Sequence, residues 1–308
     1  MTPSATLVLD ARNTLGEGVT WCARQQALYW TDIHQSSLWR FRPADNSTRQ
    51  WPMPERLASF ALCEEDGWFL LGLASGLAFF HQETGELIRI ADVEPGLPTR
   101  INDGACDRQG RFVFGTLHEP AAGEIRRAAG SFYRLHINLD LEQLALGPVA
   151  ISNSIAFSPD GATMYYCDSM TGLVRRCAYG DHVADIRVHV DVSHLDGDPD
   201  GSAIDTEGGL WNAQWGLGRV VRYDRDGKED LVIAVPTRQP TRVAFGGEHL
   251  NTLYITSARD GLGAEALAND PHAGGLFAVD VPFTGLPEPR FSGRPVRTGH
   301  AMYSTTPT

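Results

Sequence analysis

Six polar residues recur at one position of a repeated phrase: Glu17, Ser59, Asn102, Asn153, Asp200 and Thr241. Four of them end in a carboxylate or amide oxygen, and none is a histidine or a cysteine. Brought together, Glu17, Asn153 and Asp200, with Asn102 nearby, would offer oxygen ligands to a hard divalent cation, water completing its shell. Calcium heads the candidates, magnesium and manganese suit the same donors, and zinc or ferrous iron stays open. Asp200 stands in Asp198-Pro199-Asp200-Gly201-Ser202, where a turn-former is the simpler explanation. Glu17 at the matching place is a poor turn residue, which favours a site.

Such a site needs a fold that returns the six residues to one place. The chain repeats an apolar strand, a turn ending in glycine, and a second, aromatic-rich strand. Val19-Thr20-Trp21 with Ala27-Leu28-Tyr29-Trp30 is the first copy, and Val243-Ala244-Phe245 with Thr252-Leu253-Tyr254 the last. Most copies continue into a third strand, such as Gly130-Ser131-Phe132-Tyr133-Arg134-Leu135. Copies start roughly 40 to 50 residues apart, the period of a four-stranded propeller blade. Period-two alternation and Asp-Gly or Gly-Gly turns speak against a helical solenoid of similar period.

Six copies predict an all-β, six-bladed β-propeller, one domain over residues 1–308. The run Ala5–Asp10 lacks a partner in its own phrase and is expected to complete the C-terminal blade, because an open ring leaves sheet edges exposed. The tail, 292–308, carries no pattern. First strands line a propeller's channel, so residues just before them would gather at one channel mouth. The ends of the second strands return to the same face. They bring Thr116-Leu117-His118-Glu119, Trp215, Asp32 and Asp168 there, the last two read as turn carboxylates. Arg100, two residues before Asn102, should project into the mouth.

Composition narrows the partners. A formal net charge of -12 excludes neutralisation of a phosphate backbone and so a nucleic-acid partner. The five cysteines, Cys22, Cys63, Cys106, Cys167 and Cys177, lack metal or redox spacing and fit a reducing compartment. No signal peptide and no bilayer-spanning run is read, so the expectation is a cytoplasmic protein with no membrane partner. The quaternary state is not legible.

The motifs Leu15-Gly16-Glu17-Gly18, Arg100-Ile101-Asn102-Asp103-Gly104, Ile151-Ser152-Asn153, Ser158-Pro159-Asp160-Gly161, Pro199-Asp200-Gly201 and Pro240-Thr241 with Phe245-Gly246-Gly247 occur in one order. Together they resemble the SMP-30/gluconolactonase/regucalcin family, from about Leu15 to Phe283. The resemblance implies one divalent metal at the mouth of a six-bladed propeller, held by Glu17, Asn153 and Asp200. It implies Arg100, Asn102 and Glu119 as substrate-binding residues and Asp200 as the catalytic one. Ser154 stands where the family usually has Gly, and Val19 where it usually has Pro. The stretch Thr256–Leu262 is similar to bacterial sugar lactonases, which points to an aldonolactonase of sugar catabolism.

The expected reaction is metal-dependent hydrolysis of a pentono- or hexonolactone, a small-molecule substrate, to its aldonic acid. Either Asp200 takes the proton of the attacking water, or it orients a metal-bound hydroxide; a carboxylate on a dication is a weak base. No G-x-S-x-G elbow supports a serine hydrolase. The rivals are a propeller-type phosphotriester hydrolase and a non-catalytic, calcium-binding regucalcin-like protein.

Overall fold

Each copy of the repeat forms a four-stranded antiparallel sheet, and six such sheets build the ring. The computed structural model describes residues 2–295. The inner strands of blades 1 to 6 are Gly16–Cys22, Leu57–Leu62, Thr99–Cys106, Ser152–Phe157, Asp198–Ile204 and Pro240–Gly246. Each touches the next, and the sixth touches the first. The sixth blade takes its outermost strand from the other end of the chain. Thr6–Leu9 pairs antiparallel with Leu276–Asp280, Thr6 opposite Ala278 and Leu7 opposite Phe277.

The aromatic-rich second and third strands fill the wedges between blades. Trp30, Phe79, Phe112, Phe114, Trp211 and Phe277 are fully buried. Each such side chain contributes roughly 1.5–3 kcal/mol of burial, which is what holds neighbouring sheets face to face. Helix is confined to Ala264–Asn269 and a single 3-10 turn, Ser169–Thr171, among the described residues. None is long and apolar enough to cross a membrane.

Every inner strand is bulged at the same height. Register shifts fall at Glu17/Thr20, Leu57/Ser59, Ile101/Gly104, Asn153/Ala156, Pro199/Ser202 and Pro240/Val243. The polar column therefore lies within or beside these bulges, inside the strands and not ahead of them as the repeat suggested. An unpaired extra residue bends the strand and re-aims its side chains. That is how consecutive residues, which normally alternate faces, can both serve the channel.

The segment after the last blade has a structural task the sequence did not disclose. Gly285 bridges to Asp205 below blade 5, and Phe291 to Cys63 below blade 2. Those blades are opposite, so residues 285–291 cross the far end of the channel. Phe291 is fully buried, its ring 6.0 Å from that of Phe79. Leu286, Glu288 and Pro289 line an interior cavity of about 50 Å³ with Arg108 and Arg242. The polar column lies toward the opposite mouth, at the starts of the inner strands. Of the tail 292–308, residues 296–308 lie outside the described residues.

Candidate active site

Glu17, Asn153 and Asp200 stand on the inner strands of blades 1, 4 and 5. Asn153 is oriented from behind: its Nδ2 donates to Ser169 Oγ at 3.0 Å, and that hydroxyl donates to Pro199 O at 2.8 Å. With the amide nitrogen committed, Asn153 Oδ1 is presented on the other side, where Asn102 Nδ2 approaches at 3.3 Å. Glu17 Oε2 accepts from the Gly18 amide at 3.0 Å, and Gly18 has φ 65°, a left-handed conformation that glycine adopts cheaply. The Asp200 backbone is pinned, its carbonyl accepting from Ser154 Oγ at 2.6 Å and Asn212 Nδ2 at 2.9 Å. Its side-chain Oδ1 is buried with no hydrogen-bond partner.

The carboxyls of Glu17 and Asp200 lie within hydrogen-bonding reach of each other. Burial, then the charge of Asp103, pushes Glu17 up to about 7. Burial, then Glu17 and Asp103, holds Asp200 well above the usual carboxylate range. Such groups take up protons when nothing else balances them. Four buried carboxylates, Glu17, Asp103, Asp200 and Glu288, face the Arg242 guanidinium, and Arg108 faces Glu288 as well, which leaves two negative charges. One divalent cation would cancel them. No three His, Cys, Asp or Glu side chains converge on a point among the described residues, so a cation here needs an amide oxygen. Asn153 can supply it. The donors are all oxygen, and the residues fit a hard dication.

At the rim, Arg56 grips Glu119 through two parallel bonds, Nη1 to Oε1 and Nη2 to Oε2, both 2.6 Å. Arg100 Nε adds a longer contact to Glu119 Oε1 at 3.3 Å, and its Nη1 donates to Asn102 Oδ1 at 2.9 Å. Asn102 Nδ2 donates to Ser152 O at 2.8 Å, besides approaching Asn153. A continuous chain thus runs Arg56, Glu119, Arg100, Asn102, Asn153. The bonds from Arg56 hold Glu119 below its ordinary range, while burial lowers Arg100 to about 10, still charged at neutral pH. On the other side, His34 Nε2 lies 3.5 Å from Asp260 Oδ1, and Gln239 Nε2 donates to Asp260 O at 3.0 Å.

Other expected residues have structural occupations. Asp32 accepts from the amides of Thr14, Leu15 and Gln35, and Asp168 from those of Ala150, Ile151 and Met170, so both are turn carboxylates. Thr241 Oγ1 donates to Gly16 O at 2.5 Å, stapling blade 6 to blade 1. His118 is buried, its Nδ1 accepting from the Arg127 amide. Trp215 ends the second strand of blade 5, half-buried opposite Asp198. Val19 packs in the apolar wedge with Trp21. Ser154 has φ 60°, which explains why glycine suits this place, and its hydroxyl also meets Ser202 Oγ at 3.0 Å.

Sequence reasoning missed Arg56, which precedes a strand and belongs to no column. It also missed the pair Asp103 and Arg242. The signal for these lay one residue beyond the polar column, which there reads Gly18, Phe60, Asp103, Ser154, Gly201 and Arg242. An acid and a base on blades 3 and 6 of a six-membered ring are opposite each other.

The model of the SMP-30/gluconolactonase/LRE-like region matches residues 15–259. An L-arabinolactonase of Azospirillum brasilense is 54% identical, the match covering 94% of this chain and 96% of the relative. A 6-deoxy-6-sulfogluconolactonase of Pseudomonas putida is 39% identical over 93% of this chain and 98% of its own. The crystal structure of a calcium-binding protein, regucalcin, from Agrobacterium tumefaciens superimposes with a TM-score of 0.88 at 30% identity, covering 94% of this chain and 98% of that one. With a six-bladed ring, a channel closed at one end, and these likenesses along almost its whole length, the chain belongs to the SMP-30/gluconolactonase/LRE-like family.

Proposed function

We propose that the chain is a metal-dependent lactonase that opens a sugar aldonolactone, a pentono- or hexono-1,4-lactone, to its aldonic acid. The observation that carries this reading is Asp200 Oδ1, buried, unpartnered and beside Glu17 on the inner strand of blade 5. Glu17, Asn153 and Asp200 would hold a divalent cation, which when bound would supply Lewis-acid polarisation of the lactone carbonyl. Calcium is favoured by the all-oxygen donors and by the regucalcin relative described as calcium-binding. The L-arabinolactonase relative favours a five-carbon substrate. The five buried, unpaired cysteines support a reducing, cytoplasmic setting.

The chain's own residues divide the remaining work. Glu119, kept ionised by Arg56, accepts from sugar hydroxyls, while Arg100 and Asn102 donate to substrate oxygens. Polar groups arranged in this way discriminate strongly against analogues that lack the hydroxyls. Asp200 takes a proton from the attacking water as its oxygen bonds to the carbonyl carbon. The ring carbon–oxygen bond then breaks, and the departing ring oxygen receives that proton back from Asp200. Lactone plus water gives one hydroxy acid, with no other reactant.

The test is a pH-indicator assay against pentono- and hexonolactones and a fluorophosphate, in EDTA and with calcium, magnesium, manganese, zinc or ferrous iron restored. Lactone turnover should vanish in EDTA and return with metal. Turnover that survives complete metal removal would overturn the metal's role. Fluorophosphate hydrolysis without lactone hydrolysis would transfer the assignment to phosphotriester chemistry.

A further inference from the structure

Arg242, like Asp103, is a buried charge of the cluster that the hydrolysis above leaves without a task. Its stem runs across Gly201, where an added Cβ would come within 2.7 Å of Arg242 Cβ and Cγ, so the residue after Asp200 must be small. Its Nη1 bonds Asp103 Oδ1 on the opposite blade. Both side chains are almost wholly buried. Asp103 is itself anchored, Oδ1 accepting from the Gly104 amide and Oδ2 from the Ile155 amide, each at 2.8 Å. Ile155 lies two residues beyond Asn153, so the pair sits one step inside the ligand column and spans blades 3, 4 and 6. Deeper in the channel, the charge of Glu288 is answered by Arg108 as well as by Arg242.

Arg242 Nε is buried with no hydrogen-bond partner. A guanidinium placed as a structural clamp normally fills its donors. This one is held near Glu17 and Asp200 but bonded only to Asp103, which suits a charge more than a clamp.

We propose that the Asp103–Arg242 pair is the electrostatic floor of the metal site. Arg242 is a resident cation that, together with Arg108, trims four carboxylates to the two negative charges one dication neutralises, and Asp103 is the counter-ion that holds Arg242 off the ligands. The proposal rests on the metal reading above. It assigns opposite signs to its two members, which an ordinary structural ion pair does not do: breaking such a pair from either side is damaging.

The experiment is calorimetric titration of the chelator-stripped full chain with Ca²⁺ and with Mn²⁺, alongside thermal melting. Asp103→Asn leaves Arg242 uncompensated and should weaken cation binding about tenfold or more, while Arg242→Gln should tighten it by a comparable factor. The double variant should return close to the wild-type affinity, since the two effects oppose. Both single variants weakening the cation would overturn the proposal and leave a plain structural bridge. Should Arg242→Gln fail to fold, Arg242→Lys decides: it keeps the charge and should stay within about threefold of wild type, and a loss as large as that of Asp103→Asn overturns the charge role. A wild type that binds neither ion removes the metal reading itself and the proposal with it, whereas binding with same-sign variants removes the proposal alone.

Discussion

Arg242 of the sixth blade bonds Asp103 of the third across the channel, one step inside Glu17, Asn153 and Asp200. The contact joins residues 139 positions apart in sequence. Its consequence is electrostatic: without a bound dication, the carboxylates it faces must either share protons or repel.

In the absence of a bound cation, stability should therefore be pH-dependent. Glu17 is raised to about 7 in the folded chain, above its ordinary value of 4.5. Between those values the folded state keeps a proton that the unfolded state has released, so stability falls as pH rises through the window. Melting temperatures in EDTA should decline from pH 5 to pH 8, and saturating calcium should flatten the decline. A parallel pair of curves would contradict the linkage.

Asp200→Asn should keep the fold and lose about 10²–10⁴-fold in kcat, the range for a positioned acid–base group. The same substitution removes an acidic group buried beside Glu17. In the metal-free state at pH 8 the variant should melt above the wild type, since two acidic groups buried side by side are held at a cost to stability. Circular dichroism melts and lactone kinetics on the same preparation check both halves.

Arg56→Met tests the rim. Glu119 loses its bidentate partner, and KM should rise about tenfold, the scale of one charge-assisted hydrogen bond. The depressed Glu119 carboxyl stays ionised down to below its ordinary range, and its contribution is lost only as pH falls through that lowered value. Without Arg56 the acid limb of the kcat/KM profile should move to higher pH. An unmoved limb would show that Glu119 does not bind substrate in its ionised form.

Ser154 separates backbone strain from bonding. Ser154→Ala loses the hydroxyl's contacts to Asp200 O and Ser202 and should cost about 1–2 kcal/mol. Ser154→Gly loses the same contacts but relieves the φ of 60°. It should recover about 1 kcal/mol relative to alanine. Ser154→Val, β-branched in a left-handed conformation, should be the worst of the three. Urea unfolding gives the order.

The ring itself was legible in the chain, because a repeat of strand, glycine turn and aromatic strand records a local pattern six times over. The blade count, the inner strands and the all-β class follow from that pattern alone. The polar column was legible for the same reason: residues at equivalent places in equivalent blades must come to one height. Its placement inside the strands was not, since a bulge is a pairing event between two strands, and the left-handed residues within two of them, Gly18 and Ser154, read along the chain as ordinary turn residues.

What tertiary structure alone decided is which side chains answer one another across the ring. Asp103 and Arg242 look like an ordinary acid and base until blades 3 and 6 are set opposite, and Arg56 acquires Glu119 only through the meeting of two neighbouring blades. The crossing segment 285–291 likewise has no repeat to announce it and is defined by the feet of two opposite blades. Sequence therefore determined the ring and the chemical type of the candidate ligands, through short-range periodicity. The charge balance around Asp200 and the choice of which channel end is crossed were set by long-range closure, because Coulombic pairing depends on distance in space and not along the chain.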